Sequence, residues 1–332
     1  MTTDTIADFT KAPRRRIVAI DIARGVALLA MASYHFTWDL EFFGYAPAGL
    51  TEFGGWKLYA RCIASTFLFL VGVSLVLAHA HGIRWNGFWK RLGMVAAAAL
   101  AITIATYFAT PNAFIFFGIL HQIALASLLG LAFLRLPALA TLVIAALVIM
   151  APHHLRSPFF DHPSLWWVGL STVPPRSNDY VPLFPWFGAV LAGMAATKFA
   201  ESAGFLTWLA ERKLLRAMRP LELAGRHSLA FYLIHQPLLI ACVWLFSQVW
   251  PAQVVSLETG FMNSCEASCR QTRDADFCPR YCTCMLGELN VDDGLDKLSK
   301  ADQTADFQRH VGDLAAQCTA STDAGVSGGA VQ

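Results

Sequence analysis

Residues 58–80 read LYARCIASTFLFLVGVSLVLAHA, and this stretch decides the fold class because Arg61 is its single charged side chain in 23 residues. A helix of about 20 mostly apolar residues is long enough to cross the roughly 30 Å hydrocarbon core of a bilayer. The whole chain agrees, since 56% of its 332 residues are hydrophobic and 14% are charged. The sequence therefore predicts an all-α membrane protein whose main partner is the lipid bilayer.

Six further apolar stretches surround this one and predict a polytopic transmembrane helix bundle. The seven candidate spans lie near residues 17–38, 58–80, 90–109, 113–134, 137–152, 181–199 and 227–250. The fifth is the shortest, because Pro137 and Pro152 bound it. About seven spans fit the chain best.

Loop charges favour a cytoplasmic N terminus, because Lys and Arg concentrate in cytoplasmic loops. In this orientation 14 basic residues lie inside and 4 lie outside before residue 251. The inner ones are Lys11, Arg14, Arg15, Arg16, Arg84, Lys90, Arg91, Arg135, Lys198, Arg212, Lys213, Arg216, Arg219 and Arg226. An odd number of spans then places the C terminus outside.

The last 82 residues differ in composition from the rest and predict a second domain, residues 251–332, after a membrane domain of residues 1–250. Residues 1–250 hold 19 Lys and Arg against 11 Asp and Glu, whereas residues 251–332 hold 6 against 12. Six of the eight cysteines also lie in this tail. They are Cys265, Cys269, Cys278, Cys282, Cys284 and Cys318.

The cysteine spacing predicts a disulfide-rich helical hairpin. Cysteines four residues apart share one helix face, so the two Cys-x3-Cys pairs favour bridges Cys265–Cys282 and Cys269–Cys278. Cys284 and Cys318 then form a third bridge. Other connectivities stay open, and a zinc site is the alternative. No metal is expected, because an outer tail meets an oxidising compartment.

Ionisable side chains inside a span are costly unless they are paired, face water or bind a ligand. In the first span Asp21 and Arg24 are three residues apart and can form a structural ion pair. His35 shares the face of Arg24 about 16 Å further along the helix. Asp39 follows His35 by four residues, so we expect its carboxylate to hold one ring nitrogen and leave the other as a general base. An interfacial histidine is the alternative.

Three more polar residues fall inside other spans and indicate a wet cavity or a bound ligand. Arg61 lies near the outer start of the second span. His121 and His235 lie about the middle of the fourth and the seventh.

Several segments resemble one known family. Over residues 14–250 the chain is similar to bacterial relatives of heparan-alpha-glucosaminide N-acetyltransferase, within the transmembrane acyltransferases that include the type 3 O-acetyltransferases. The matching segments are Ile20–Gly25 with His35 ten residues after Arg24, Ala60–Ser65, Phe67–Gly72, Gly118–His121, Phe184–Gly188, Gly225–Leu229 and His235–Pro237.

The resemblance implies transfer of an acyl group, usually acetyl, from cytoplasmic acyl-CoA to a hydroxyl or amine of a sugar beyond a bacterial plasma membrane. It implies that His35 and Asp39 are catalytic and that Arg24 helps to hold the donor. Further candidates are Arg84 and Arg91 for the donor, and Arg61, His121 and His235 for the acceptor or cavity.

Two other classes of function stay open from the sequence. A proton-coupled transporter or flippase of a sugar or lipid-linked glycan also uses His and Arg inside a bundle. A membrane receptor or scaffold is the other alternative, with the disulfide-rich tail as its binding part. The basic residues are spread over loops, which argues against nucleic acid as a partner.

Overall fold

The computed structural model describes residues 16–47, 49–79, 82–212, 216–252, 256–291, 293–299 and 304–327, and it contains no strand in these ranges. Of the inner basic residues predicted above, Lys11, Arg14, Arg15 and Lys213 lie outside them. The first nine helices are α1 (Val18–Phe42), α2 (Gly54–His79), α3 (Trp85–Ala109), α4 (Ile119–Gly130), α5 (Ala138–His154), α6 (Leu183–Ser202), α7 (Phe205–Glu211), α8 (Arg219–Arg226) and α9 (Ser228–Val249).

The predicted all-α membrane class is confirmed. Five helices, α1, α2, α3, α6 and α9, are long and apolar enough to cross a membrane. Two shorter apolar helices, Ile119–Phe133 and Ala138–His154, lie where the fourth and fifth spans are predicted. Large apolar side chains face outward, among them Leu29, Phe108 and Val249, as expected for helices surrounded by lipid. The count of seven and the cytoplasmic N terminus stay predictions.

The fourth predicted span, residues 113–134, begins too early. Its helix starts at Ile119, because Pro111 opens a short 3-10 turn and the following loop pairs with a second loop. The backbone N–H of Val181 donates to the carbonyl of Phe117 at 3.1 Å. His121 consequently lies in the first turn of α4, so its predicted position at mid-span is wrong.

Close contact between α2 and α6 forms the centre of the bundle. A Cβ on Gly72 would lie 2.0 Å from the carbonyl oxygen of Val190, and one on Gly193 would lie 2.1 Å from that of Phe69. Glycines at these places let the two backbones touch, which is how membrane helices commonly associate. Fully buried side chains surround the contact, including Leu68, Leu191 and Met194.

The tail is a separate set of helices, α10 (Leu257–Cys269), α11 (Phe277–Val291), α12 (Gly294–Ser299) and α13 (Ala305–Ser327). Three disulfides join Cys265 to Cys282, Cys269 to Cys278 and Cys284 to Cys318. These are the pairs that the spacing predicts, with α10 and α11 as the two arms of the hairpin. The boundary at residue 251 stays a prediction.

Candidate functional site

Two residues of α9, His235 and Gln236, lie beside the predicted catalytic residues His35 and Asp39 of α1. Asp39 on α1 is fully buried, and its Oδ1 accepts a hydrogen bond from Gln236 Nε2 on α9 at 2.8 Å. The rings of His35 and His235 lie against each other with 5.0 Å between their centroids. We call His35, Asp39, His235 and Gln236 the His35 cluster.

The predicted hydrogen bond between Asp39 and His35 is wrong. None joins these two side chains in the part of the chain that the structure describes, and Asp39 bonds to Gln236 instead. Four-residue spacing fixes which helix face a pair shares, but it does not fix which neighbour supplies the nearest donor. A buried carboxylate needs a donor, and the amide of Gln236 on α9 supplies it. A catalytic role for Asp39 stays a prediction.

His235 is held in one orientation by its own helix. Its Nδ1 lies 2.8 Å from the carbonyl oxygen of Tyr232. A carbonyl only accepts, so Nδ1 carries the proton, and in the neutral ring Nε2 carries the lone pair. Phe231 stacks parallel to the same ring, with 9° between the planes. Nε2 is buried and has no hydrogen-bond partner among the described residues.

The His35 cluster contains three buried acceptor atoms that lack donors. Besides His235 Nε2, they are Asp39 Oδ2 and Gln236 Oε1, neither of which has a partner among the described residues. Buried polar atoms are nearly always paired, and leaving one unpaired costs on the order of 1–3 kcal/mol. A cluster of this kind suits a ligand that brings hydrogen-bond donors.

A second polar group surrounds Arg24, nearer the start of α1. Arg24 Nη1 donates to Asp21 Oδ1 at 2.8 Å, so the predicted ion pair is present. The guanidinium also donates to Ser74 Oγ on α2, and Arg16 Nε donates to Asp21 Oδ2. Asp21, which is 2% exposed, therefore has two cationic partners. The hydrogen bond raises the pKa of Arg16 above its usual value.

Two further basic residues lie near this group. Arg84 precedes α3, and its backbone N–H donates to His79 Nδ1 at the end of α2. Arg91 is close enough to Arg24 for their charges to repel. Arg91 is thus near Arg24, at the end of the bundle opposite the His35 cluster, and Arg84 lies just before the helix that carries Arg91. Their binding role stays a prediction.

His121 is occupied by structural hydrogen bonds. Gly118 N–H donates to its Nδ1 at 3.2 Å, and its Nε2 lies 3.2 Å from Thr103 Oγ1. The hydroxyl of Thr103 donates its own proton to the carbonyl of Ile115, so it accepts from Nε2. Both ring nitrogens therefore help to fix the start of α4. Arg61, by contrast, is exposed on α2.

Asp179, in the loop before α6, closes the same helix end. Its Oδ2 accepts the backbone N–H of Ile119 at 2.8 Å. Burial raises the pKa of this carboxyl to about 6, partly opposed by that hydrogen bond. Side-chain acceptors commonly satisfy the free N–H groups at a helix start, so Asp179 and His121 together set where α4 begins.

A comparison with protein families supplies the identity. The model of the heparan-alpha-glucosaminide N-acetyltransferase catalytic domain matches residues 16–237. The chain belongs to this family. The match contains the His35 cluster and the Arg24 group, and it ends directly after Gln236, whereas all six disulfide-bonded cysteines lie beyond it. The resemblance to heparan-alpha-glucosaminide N-acetyltransferase inferred from the sequence is confirmed. No curated protein and no solved structure matches the chain significantly.

Sequence interpretation missed two residues of the site, Gln236 and Ser74. The sequence does mark Gln236 as a candidate, because an amide in the middle of an apolar helix next to His235 is unusual. Nothing in the sequence marks Ser74, because the hydroxyl of a serine in a membrane helix can donate to a carbonyl of its own helix. Ser74 also does so, to the carbonyl of Leu70.

Proposed function

We propose that this membrane protein moves an acyl group, most simply acetyl, from cytoplasmic acyl-CoA to a hydroxyl or amine of a sugar at the opposite face of a plasma membrane. Membership of an N-acetyltransferase family supports acyl transfer and an acyl-CoA co-substrate. The three disulfides of the tail support an outer location for the C terminus, because such bonds persist in oxidising compartments.

The unpaired acceptors of the His35 cluster carry the proposal. Asp39 Oδ2 and Gln236 Oε1 have no hydrogen-bond donor among the described residues. A sugar offers several O–H or N–H groups close together, whereas a thioester offers only acceptors. The cluster therefore suits the acceptor substrate, and the reacting hydroxyl or amine is the group that meets it.

His35 is the group that we assign to the reacting atoms. Its ring lies beside that of His235, with 5.0 Å between the centroids, and has no hydrogen-bond partner among the described residues. In the reaction the acceptor oxygen or nitrogen bonds to the acyl carbon, the carbon–sulfur bond breaks, and CoA leaves as a thiolate. The proton of the acceptor passes through His35 to the thiolate, so that free CoA thiol is released.

Arg24 lies about 16 Å before His35 along α1, near the positive charge of Arg91. Guanidinium groups suit phosphates, and the phosphates of CoA are the part of the donor furthest from its thioester. The pantetheine arm, which is long and flexible, would connect the two groups of residues through the bundle.

Calorimetric titration of the purified full chain with acetyl-CoA tests the proposal. We expect saturable binding. His35→Ala should change the Kd of acetyl-CoA by no more than a few-fold, whereas Arg24→Ala should raise it at least about tenfold. The reason is that charge-assisted hydrogen bonds to the phosphates of CoA contribute more to donor binding than one imidazole does. Radiolabelled acetyl-CoA with glucosamine as probe acceptor then measures turnover. Absence of acetyl-CoA binding to the folded wild-type protein contradicts the proposal and favours a transporter or receptor.

A further inference from the structure

The ring of His235 has the features of a residue that orients a neighbouring histidine. It is fixed on α9 by the Tyr232 carbonyl at Nδ1 and by the stacked ring of Phe231. The lone pair on Nε2 is buried and has no partner among the described residues. A fixed ring with a free acceptor is able to receive an N–H and to hold its donor in place.

His35 needs such a partner. A histidine that acts as a base must keep its proton on one nitrogen and present the other to the substrate, and a hydrogen bond to the protonated nitrogen sets this choice. Asp39 does not provide that bond in this structure, because its Oδ1 accepts from Gln236 and its Oδ2 has no hydrogen-bond partner among the described residues. At 5.0 Å between the ring centroids, the two rings are close enough for a rotation of the His35 ring to bring one of its nitrogens within hydrogen-bond distance, about 3 Å, of His235 Nε2.

We propose that His235 is the positioning residue of His35. In the complex with the acceptor, an N–H of His35 donates to Nε2 of His235, and the second nitrogen of His35 takes the acceptor's proton. The positive charge that then forms on His35 is stabilised by this hydrogen bond, and the proton leaves His35 for the CoA thiolate. The inference rests on the proposed acyl transfer.

Two substitutions at His235 separate positioning from packing. His235→Phe keeps an aromatic ring but removes the acceptor, whereas His235→Gln supplies an amide oxygen in its place. His227→Gln is the matched control, because His227 is exposed eight residues earlier, at the start of the same helix. The readouts are kcat and KM for acetyl transfer from labelled acetyl-CoA to glucosamine, the Kd of acetyl-CoA and the melting temperature.

We expect His235→Phe to lower kcat at least about 100-fold, as loss of an orienting partner does in histidine-based catalysis, with KM and Kd within about threefold of wild type. His235→Gln should recover at least about tenfold of that loss, and His227→Gln should match wild type. Near-normal kcat in a folded His235→Phe variant overturns the proposal, as does equal kcat in the two His235 variants. A wild-type protein without any transfer activity contradicts the proposed function instead.

Nitrogen-15 NMR of the histidine-labelled full chain gives a second test that needs no turnover. His235 is expected to carry its proton on Nδ1 and to show an unprotonated Nε2 at neutral pH, with His235→Gln used to assign the signals. A proton on Nε2 of His235 overturns the proposal, because that nitrogen then cannot accept from His35.

Discussion

Gly225 of α8 packs backbone to backbone against Asp21 of α1: a Cβ on Gly225 would lie 1.8 Å from the carbonyl oxygen of Asp21. The opposite side of the contact is equally close, since a Cβ on Gly25 would lie 2.1 Å from the carbonyl oxygen of Leu221. Gly25 and Gly225, in two separate segments of the family match, are therefore both required by one contact between α1 and α8. The crossing holds α8 beside the ion pair of Asp21 and Arg24.

Gly225→Ala should therefore destabilise the protein. The added methyl group forces α1 and α8 apart, and overpacking of this kind costs on the order of 1–3 kcal/mol. The melting temperature in detergent measures the effect. Gly93→Ala on α3 is the control, because a Cβ there meets no atom within 4 Å and alanine favours a helix. Equal melting temperatures for the two variants would show that the close contact is absent.

His35→Ala should abolish acetyl transfer while the protein stays folded. The ring has no hydrogen-bond partner among the described residues, so its removal leaves no donor or acceptor newly unpaired. Turnover with acetyl-CoA and glucosamine measures the loss, and the melting temperature serves as the folding control. Activity that falls only in proportion to the folded fraction would remove His35 from the mechanism.

Asp179 should make the folded protein less stable as the pH rises. Its pKa of about 6 in the folded protein lies above the usual 3.8, so the protonated carboxyl favours folding. This contribution is complete below about pH 4 and is lost as the pH rises through about 6. Asp179→Asn cannot ionise but keeps an oxygen for the Ile119 N–H. It should be more stable than wild type at pH 7.5, with the difference closing toward pH 4.

Asp161→Asn should change the stability at pH 7.5 in the opposite direction. Hydrogen bonds from Thr172 and Ser171 lower the pKa of Asp161, so its contribution is present above its unfolded pKa and is lost as the pH falls. This variant should be less stable than wild type at pH 7.5 and should approach wild type in acid. Melting temperatures check the pair, across pH 4–7.5 for Asp179→Asn and from pH 7.5 to below pH 3.8 for Asp161→Asn. Shifts of the same sign at pH 7.5 would contradict one of the two assignments.

The tail should lie outside the cytoplasm. Charge bias in the loops and the disulfides point to the same side, so alkaline phosphatase fused to the C terminus should be active and a fused fluorescent protein dark. Intact-mass measurement without reductant should show six oxidised cysteines. An inactive phosphatase fusion together with a fluorescent protein fusion that fluoresces would place the tail in the cytoplasm.

The sequence predicted those parts of the fold that depend on local patterns. Apolar length located the helices, because the bilayer sets a fixed length for a crossing helix. Four-residue spacing paired Cys265 with Cys282 and Cys269 with Cys278, because helix periodicity places such residues on one face. Both signals lie within a few turns of the chain.

The site itself depends on contacts that no local pattern contains. The four-residue spacing predicts a bond from Asp39 to His35, but the partner of Asp39 is Gln236, 197 residues away. The apolar stretch predicts His121 at mid-span, yet the carboxylate of Asp179, 60 residues beyond Ile119, helps to set where its helix begins. Periodicity gives the direction of a side chain around its own helix, whereas the order in which helices pack decides what that side chain meets.

The hydrogen bond between Asp39 and Gln236 also has a consequence for biogenesis. At synthesis rates of about 5–20 residues per second, the 197 residues between them take on the order of tens of seconds to emerge from the ribosome. During that interval α1 resides in the membrane with a carboxyl group whose eventual donor has not been made. The nascent protein therefore passes through a period in which its first helix is incompletely matched to lipid, and this period ends only when α9 inserts beside it.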